Sequence, residues 1–340
     1  MIMLLLLILI IVLTLSNICD KNSLETIIIS IKNINIFYIL LGLLIISMYF
    51  ILQGIYMKMM LKNLNKDIPL KNGIFYSLVE FYFSGITPSS TGGQPVQLYY
   101  MTNDKIPVRN SYVVLLLNTI YFKVILLFLG IIVLLFKGSY VISNDFIYLF
   151  FFVLGFLTDL VIVILGIILL FNKKLIRKML DKLFSFGKRF KVLRKKLEKN
   201  SVDKIMAKYT NELHFIKNNK KLIFVTFLIT FLQRLSMFSI AYVMYRALGF
   251  NHYTYFDLLA IQVSVQLAIE ALPLPGGAAL SEGMLYSSFV TIFNSSLAEV
   301  GMLLTRTFSF YIPLLGSGLI ILICTLKGRI QHKKRRTLII

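Results

Sequence analysis

The chain has 340 residues, of which 58% are hydrophobic, with a formal net charge of +21 and a mean hydropathy of +0.81. That composition excludes an ordinary water-soluble domain and indicates a polytopic membrane protein. The positive charge lies between apolar stretches, so it speaks of membrane orientation and lipid head groups rather than of nucleic acid.

Residues 1–18 are apolar from the first position. With no basic n-region and no small-residue cleavage site, they are expected to be a retained span rather than a secretory signal peptide. A second span is expected over 35–57. Lys58, Lys62, Lys66 and Lys71 follow within one loop, which the positive-inside rule puts in the cytoplasm, and the N-terminus with it. Residues 73–101 are apolar but broken at Pro88 and Gly92-Gly93. Each arm is shorter than the ~20 residues a crossing helix needs, so a hairpin that enters and returns on one face is expected.

Lys105 and Arg109 mark another cytoplasmic loop. Spans are expected over 111–136, outward, and over 146–171, inward. Residues 172–221 carry 17 Lys/Arg against 4 Asp/Glu. Leu175, Ile176, Met179, Leu180, Leu183 and Phe184 recur there at helical spacing, which predicts amphipathic helices on the inner membrane surface. The charge serves orientation in any case, and recruitment of anionic lipid is the further option.

A span over 222–248 leads outward to a loop without Lys or Arg near Asn251. Residues 257–296 form a second interrupted segment, broken around Pro273, Pro275, Gly276 and Gly277. Residues 300–326 cross inward, with Arg306 near the start of that span. The basic tail 327–340 is expected in the cytoplasm.

The halves 1–171 and 222–326, joined by the basic linker, thus run in opposite senses. The expected fold is an all-α polytopic membrane protein with an inverted-topology repeat and two re-entrant hairpins broken by Pro and Gly. Broken backbone at membrane depth survives only inside protein or beside a water-filled cavity. Paired broken segments in two halves point to a transporter's binding site.

Glu80, Lys123, Asp159, Arg234, Glu270, Glu282 and Arg306 all fall within apolar segments. Ionisable groups at membrane depth are costly, and they pair or line a cavity. Glu282 and Arg306 rank first: Glu282 follows Gly276-Gly277, and a guanidinium suits bidentate phosphate recognition. Helix N-termini after Gly92-Gly93 and Gly276-Gly277 favour an anion, although such glycines also serve close helix packing. Gln94 adds a polar group beside the first pair. His214, His252 and His332 are scattered, so neither a metal centre nor another cofactor is expected. Cys19 and Cys324 fall on opposite predicted sides, which argues against a disulfide framework.

The segment PLPGGAALSEGMLYSSFV and the later LLTRTFSFYIPLLGSGLIIL resemble the lysylphosphatidylglycerol synthase transmembrane family, also described as flippase-like. The matching positions are Pro273, Pro275, Gly276, Gly277, Glu282, Arg306, Pro313 and Gly316, with TPSSTGGQPVQLYYM as the counterpart in the first half. Many members carry an acidic residue and an Arg in that first motif, where this chain has Gln94 and Gln97. Full-length lysyltransferases of the family append a soluble catalytic domain, which is not expected in this chain.

The resemblance implies a lipid flippase for an anionic or aminoacylated phospholipid, or for a polyprenyl-phosphate lipid, in a bacterial cell membrane. The expected partner is an anionic lipid head group. The alternatives are lysyl transfer from lysyl-tRNA to phosphatidylglycerol, the only reading with a nucleic-acid partner, and a membrane scaffold for such an enzyme.

Overall fold

The computed structural model describes residues 29, 32, 34–138, 146–171, 219–270, 280–293 and 295–337. The expected first span 1–18, nearly all of the basic linker 172–221 and the break at Pro273–Gly277 lie outside them. All regular structure among the described residues is helical: α1 (Ile36–Asn63), α2 (Leu70–Gly85), α3 (Gly93–Asn103), α4 (Val108–Lys137), α5 (Phe146–Phe171), α6 (Lys220–Ala247), α7 (Tyr255–Glu270), α8 (Leu280–Val290), α9 (Ser295–Arg306) and α10 (Ile312–Thr337). A 3-10 turn at Pro88–Ser90 and a π turn at Thr307–Tyr311 complete the order.

Five described segments are long and apolar enough to cross a membrane: Ile36–Asn63, Val108–Lys137, Phe146–Ile168, Lys220–Ala247 and Leu297–Leu326. Side chains on their outer surfaces fit a hydrocarbon solvent. On α5, Ile147, Phe150, Val153, Leu157, Val161 and Ile164 are exposed at helical spacing. In water such a stripe would be an aggregation liability; in a bilayer it is the lipid face.

Apolar burial gives helices little reason to associate within lipid, so close contact through small residues carries more of the packing. At the α1–α2 crossing a Cβ on Gly73 would sit 2.5 Å from the Gly54 carbonyl oxygen. At the α5–α7 crossing a Cβ on Gly155 would sit 1.7 Å from the Leu267 carbonyl oxygen. Only glycine permits these approaches.

Two units each pair a longer helix with a shorter one. In the first, α2 and α3 pack side by side. They have 16 and 11 residues, or about 24 and 16 Å at 1.5 Å per residue, short of a ~30 Å hydrocarbon core. In the second, α7 and α8 pack together and have 16 and 11 residues. Each unit is closed at its open end. Tyr76 Oη donates to Asp104 Oδ2 at 2.5 Å, joining the first half of α2 to the end of α3. Tyr253 Oη donates to the Thr291 carbonyl at 3.0 Å, joining the start of α7 to the end of α8.

α4 relates the two units. At its N-terminal end Asn110 Nδ2 donates to the Leu64 carbonyl at 3.2 Å, beside the open end of the first unit. At its C-terminal end Lys137 Nζ lies 2.7 Å from Asp257 Oδ1, at the open end of the second. The rise of α4 from Asn110 to Lys137 separates those points by about 40 Å.

The last span differs from expectation in three respects. Its helix begins at Ser295, so Arg306 is the twelfth residue of α9 rather than near a span start. The ladder then widens into the π turn. Pro313 lacks an N–H and its ring would crowd the carbonyl four residues back, at Ser309; the wider turn relieves that conflict. Finally, α10 continues through the basic segment to Thr337, because Lys, Arg and Gln are good helix formers.

Candidate functional site

A cavity of about 800 Å³ opens between the two units and the middle of α4 and α6. The tip of the first unit contributes Ser90, Thr91 and Gln94; the second contributes Gln266, Glu270 and Ser281. Lys123, Arg234 and Arg306 line it as cations, and Glu80 and Glu270 as carboxylates. The sequence is thus folded so that ionisable groups from α2, α4, α6, α7 and α9 face one space.

Arg306 and Glu282 form a buried ion pair at this site. Arg306 Nε donates to Glu282 Oε1 at 2.9 Å, with side chains 9% and 1% exposed. Tyr311 Oη donates to the same oxygen at 3.1 Å, and Ser281 Oγ donates to Oε2 at 2.9 Å. Both carboxylate oxygens are therefore occupied. The guanidinium carbon also stands 4.4 Å from the centre of the Phe310 ring. The π turn brings Phe310 and Tyr311 to this contact: π bulges in α-helices accompany functional positions. Arg306 reaches the cavity wall, whereas Glu282 stands behind it as the group that aims the guanidinium.

Arg234 is held differently. Its guanidinium carbon lies 3.8 Å from the centre of the Phe122 ring and 5.6 Å from that of Tyr49. Nη1 donates to Tyr49 Oη at 3.3 Å. Its Nε has no hydrogen-bond partner among the described residues. Aromatic faces stabilise the cation without neutralising it. Glu80 lines the same cavity, with Ser84 Oγ 3.4 Å from its Oε1.

Lys123 is clasped by two acids. Its Nζ lies 2.6 Å from Asp159 Oδ1 and 2.6 Å from Glu270 Oε2. Gln266 Nε2 donates to Glu270 Oε1 at 2.9 Å. The cluster assembles where the glycine crossing at Gly155 brings α5 against α7, since Asp159 and Glu270 follow Gly155 and Leu267 by about one helical turn.

The residues singled out from sequence divide into three groups. Glu80, Gln94, Arg234, Glu270 and Arg306 line the one cavity, with Glu282 bonded to Arg306. Gly92 and Gly93 lie at the tip of the first unit in tight packing. A Cβ on Gly93 would meet Ser84 Oγ at 2.0 Å and the Glu80 carbonyl at 2.7 Å, and the Gly92 N–H donates to Thr87 Oγ1 at 2.9 Å. Close packing thus accounts for both. Pro273, Pro275, Gly276 and Gly277 fall outside the described residues.

Lys123 and Asp159 were recognisable as ionisable groups at membrane depth but carried no motif, and their union with Glu270 is a product of the fold. Thr119, which Gln94 Nε2 bonds, and Gln262, on the wall of the second unit, carried no sequence signal beyond being polar within an apolar run.

No curated protein matches the chain. The family model described as the lysylphosphatidylglycerol synthase TM region matches residues 1–317. Together with the all-helical membrane architecture, that match makes the chain a member of the lysylphosphatidylglycerol synthase transmembrane family.

Proposed function

We propose that this protein moves a lipid with an anionic head group across the cell membrane, the tails staying in lipid while the head group traverses the cavity. The cargo class is an anionic or aminoacylated phospholipid, or a polyprenyl-phosphate lipid. The observation that carries the reading is the cavity of about 800 Å³ with Arg234, Lys123 and Arg306 on its walls. A phosphate in hydrocarbon faces a desolvation penalty of several kcal/mol, which cations fixed in a polar cavity offset. Arg234 and Arg306 are the phosphate contacts in this reading. Their planar forks suit phosphate oxygens, and aromatic rings hold each of them in position.

Architecture supports the same reading. Both units are read as re-entrant, their open ends at opposite ends of α4, with the tip of the first and the facing ends of α7 and α8 at the cavity. The packing pairs mirror each other: α1 on α2 and α6 on α7, then α2 on α10 and α7 on α4, with α1 on α6 between the halves. That pattern is the one expected of an inverted repeat, the arrangement many transporters use for alternating access. Both termini and the basic linker are assigned to the cytoplasm on charge.

Reconstitution of the purified protein into liposomes carrying labelled phosphatidylglycerol tests the proposal. Protein-dependent transbilayer movement is expected, reduced at least tenfold in Arg234→Gln. Movement equal to that of empty liposomes rejects the reading. The family's description also names a synthase, so lysyl transfer to phosphatidylglycerol is the second reading. Formation of lysylphosphatidylglycerol from lysyl-tRNA by the same preparation supports that one instead.

A further inference from the structure

We propose that Lys123, Asp159 and Glu270 form a proton-binding site, and that proton uptake there is positively linked to occupancy of the cavity by an anionic head group. The linkage rests on the lipid-transport reading above; the proton site itself does not.

Charge is the first argument. One ammonium sits between two carboxylates, 2.6 Å from each, so the ionised cluster carries a net charge of minus one at membrane depth. Lys123 and Asp159 occupy the middle of α4 and α5, far from either helix end. Uncompensated charge at that depth costs free energy, and binding one proton removes it.

Geometry is the second. Asp159 is fully buried, and its Oδ2 has no hydrogen-bond partner among the described residues. Buried polar atoms are nearly always satisfied, so an orphaned carboxylate oxygen marks a place where something belongs. A protonated carboxyl differs from the ionised one in being neutral and in gaining a donor. Access comes through the other acid: the Glu270 side chain is 21% exposed and faces the cavity. A proton from cavity water is taken by Glu270 and shared with Asp159 across the Lys123 ammonium. It returns by the same path, and no other bond is made or broken.

The remaining charged groups around the cluster set the sign. On α6, Arg234 stacks on the Phe122 ring that Lys123 Nζ also overlies, at 5.1 Å. On α8, Glu282 is bound to Arg306 of α9. On α2, Glu80 faces the shared cavity. With the cluster ionised, its negative charge opposes a phosphate beside Arg234 and Arg306. With the proton bound, that opposition disappears. Head group and proton therefore favour each other's binding, and by linkage the effect is reciprocal.

Two measurements on the detergent-solubilised protein test this. Infrared difference spectra recorded between neutral and acidic pH without lipid should show a protonated-carboxyl band. The band should be lost in both Asp159→Asn and Glu270→Gln. Each variant leaves Lys123 with one acid, a neutral pair, so both should fold. Calorimetric titration with short-chain phosphatidylglycerol should show affinity rising on acidification, by up to about tenfold per pH unit for one linked proton, with the rise abolished in either variant. A missing band, or one that both variants retain, overturns the proton site. A variant-sensitive band with pH-independent affinity overturns the linkage. If wild-type protein binds no lipid at any pH, the transport reading fails, while the infrared titration still decides the proton site.

Discussion

Gly155 and Leu267 touch through backbone alone: a single Cβ on the glycine would lie 1.7 Å from the leucine carbonyl oxygen. One turn further along each helix stand Asp159 and Glu270, the two acids that hold Lys123. Among the described glycines, the tightest approach to another helix backbone therefore sits beside the Lys123 ion cluster. Bringing α5 this near to α7 is what allows one ammonium to reach both carboxylates.

Gly155→Ala should accordingly cost more than its single methyl group implies. Backbone cannot yield as a flexible side chain does, so the helices must separate. Overpacking of this kind costs about 1–3 kcal/mol, and the separation also loosens the clasp on Lys123. Gly283→Ala and Gly316→Ala serve as controls, since a Cβ at either meets nothing within 4 Å. Thermal unfolding in detergent should show a clear loss for Gly155→Ala and almost none for the controls. Equal behaviour of all three would contradict the contact.

Arg234 offers a test that separates charge from shape. Its guanidinium carbon lies 3.8 Å from the centre of the Phe122 ring, a contact that an ammonium on a flexible stem does not reproduce. Arg234→Lys retains the positive charge yet loses the guanidinium's contact with the ring and its fork. In a phosphatidylglycerol binding assay we expect Arg234→Lys to weaken affinity about tenfold or more, close to Arg234→Gln; tenfold corresponds to about 1.4 kcal/mol. Affinity for Arg234→Lys near the wild-type value would mean that charge alone matters there.

The elements that sequence revealed are those governed by local physics. Spans follow from runs of apolar residues, and Pro88 with Gly92-Gly93 announces the break between α2 and α3. Pro313 carries a local signal for the widened π turn, through its conflict with the Ser309 carbonyl. The Glu282–Arg306 pair was legible because both residues sit beside recognisable motifs. Lys123, Asp159 and Glu270 were not legible as a unit, because the contacts join residues separated by 36 and 147 positions. Nothing local in a mid-span lysine says which acids it will meet. Nor does a mid-span arginine disclose that it rests on the Phe122 ring. Such groupings depend on helix packing, which small residues such as Gly155 control from a distance.

Orientation can be checked independently of transport. Loop charge assigns residue 201, in the linker with 17 Lys/Arg against 4 Asp/Glu, to the cytoplasm, and residue 251, between α6 and α7, to the outside. With Cys19 and Cys324 replaced, Ser201→Cys and Asn251→Cys should label from opposite sides in intact cells with a membrane-impermeant maleimide. Labelling of Asn251→Cys alone is expected. If both positions label from outside, the orientation assigned from charge is wrong.

The Glu282–Arg306 pair allows a structural role to be separated from a functional one. Glu282 has both oxygens occupied, by Arg306 and Tyr311 on one and Ser281 on the other. Arg306 alone of the two faces the cavity. Removing one partner of a buried pair strands a charge and costs about 3–5 kcal/mol, whereas removing both is often tolerated. Glu282→Gln and Arg306→Gln should each lower thermal stability by that order. The double variant should recover most of it, since two amides of nearly the same shape can bond to each other and to Ser281. Transport then decides the role. If Arg306 contacts the lipid phosphate, the refolded double variant should move labelled phosphatidylglycerol at least tenfold more slowly than wild type. A stable double variant with undiminished transport would make the pair a strut between α8 and α9 and remove both residues from the lipid path.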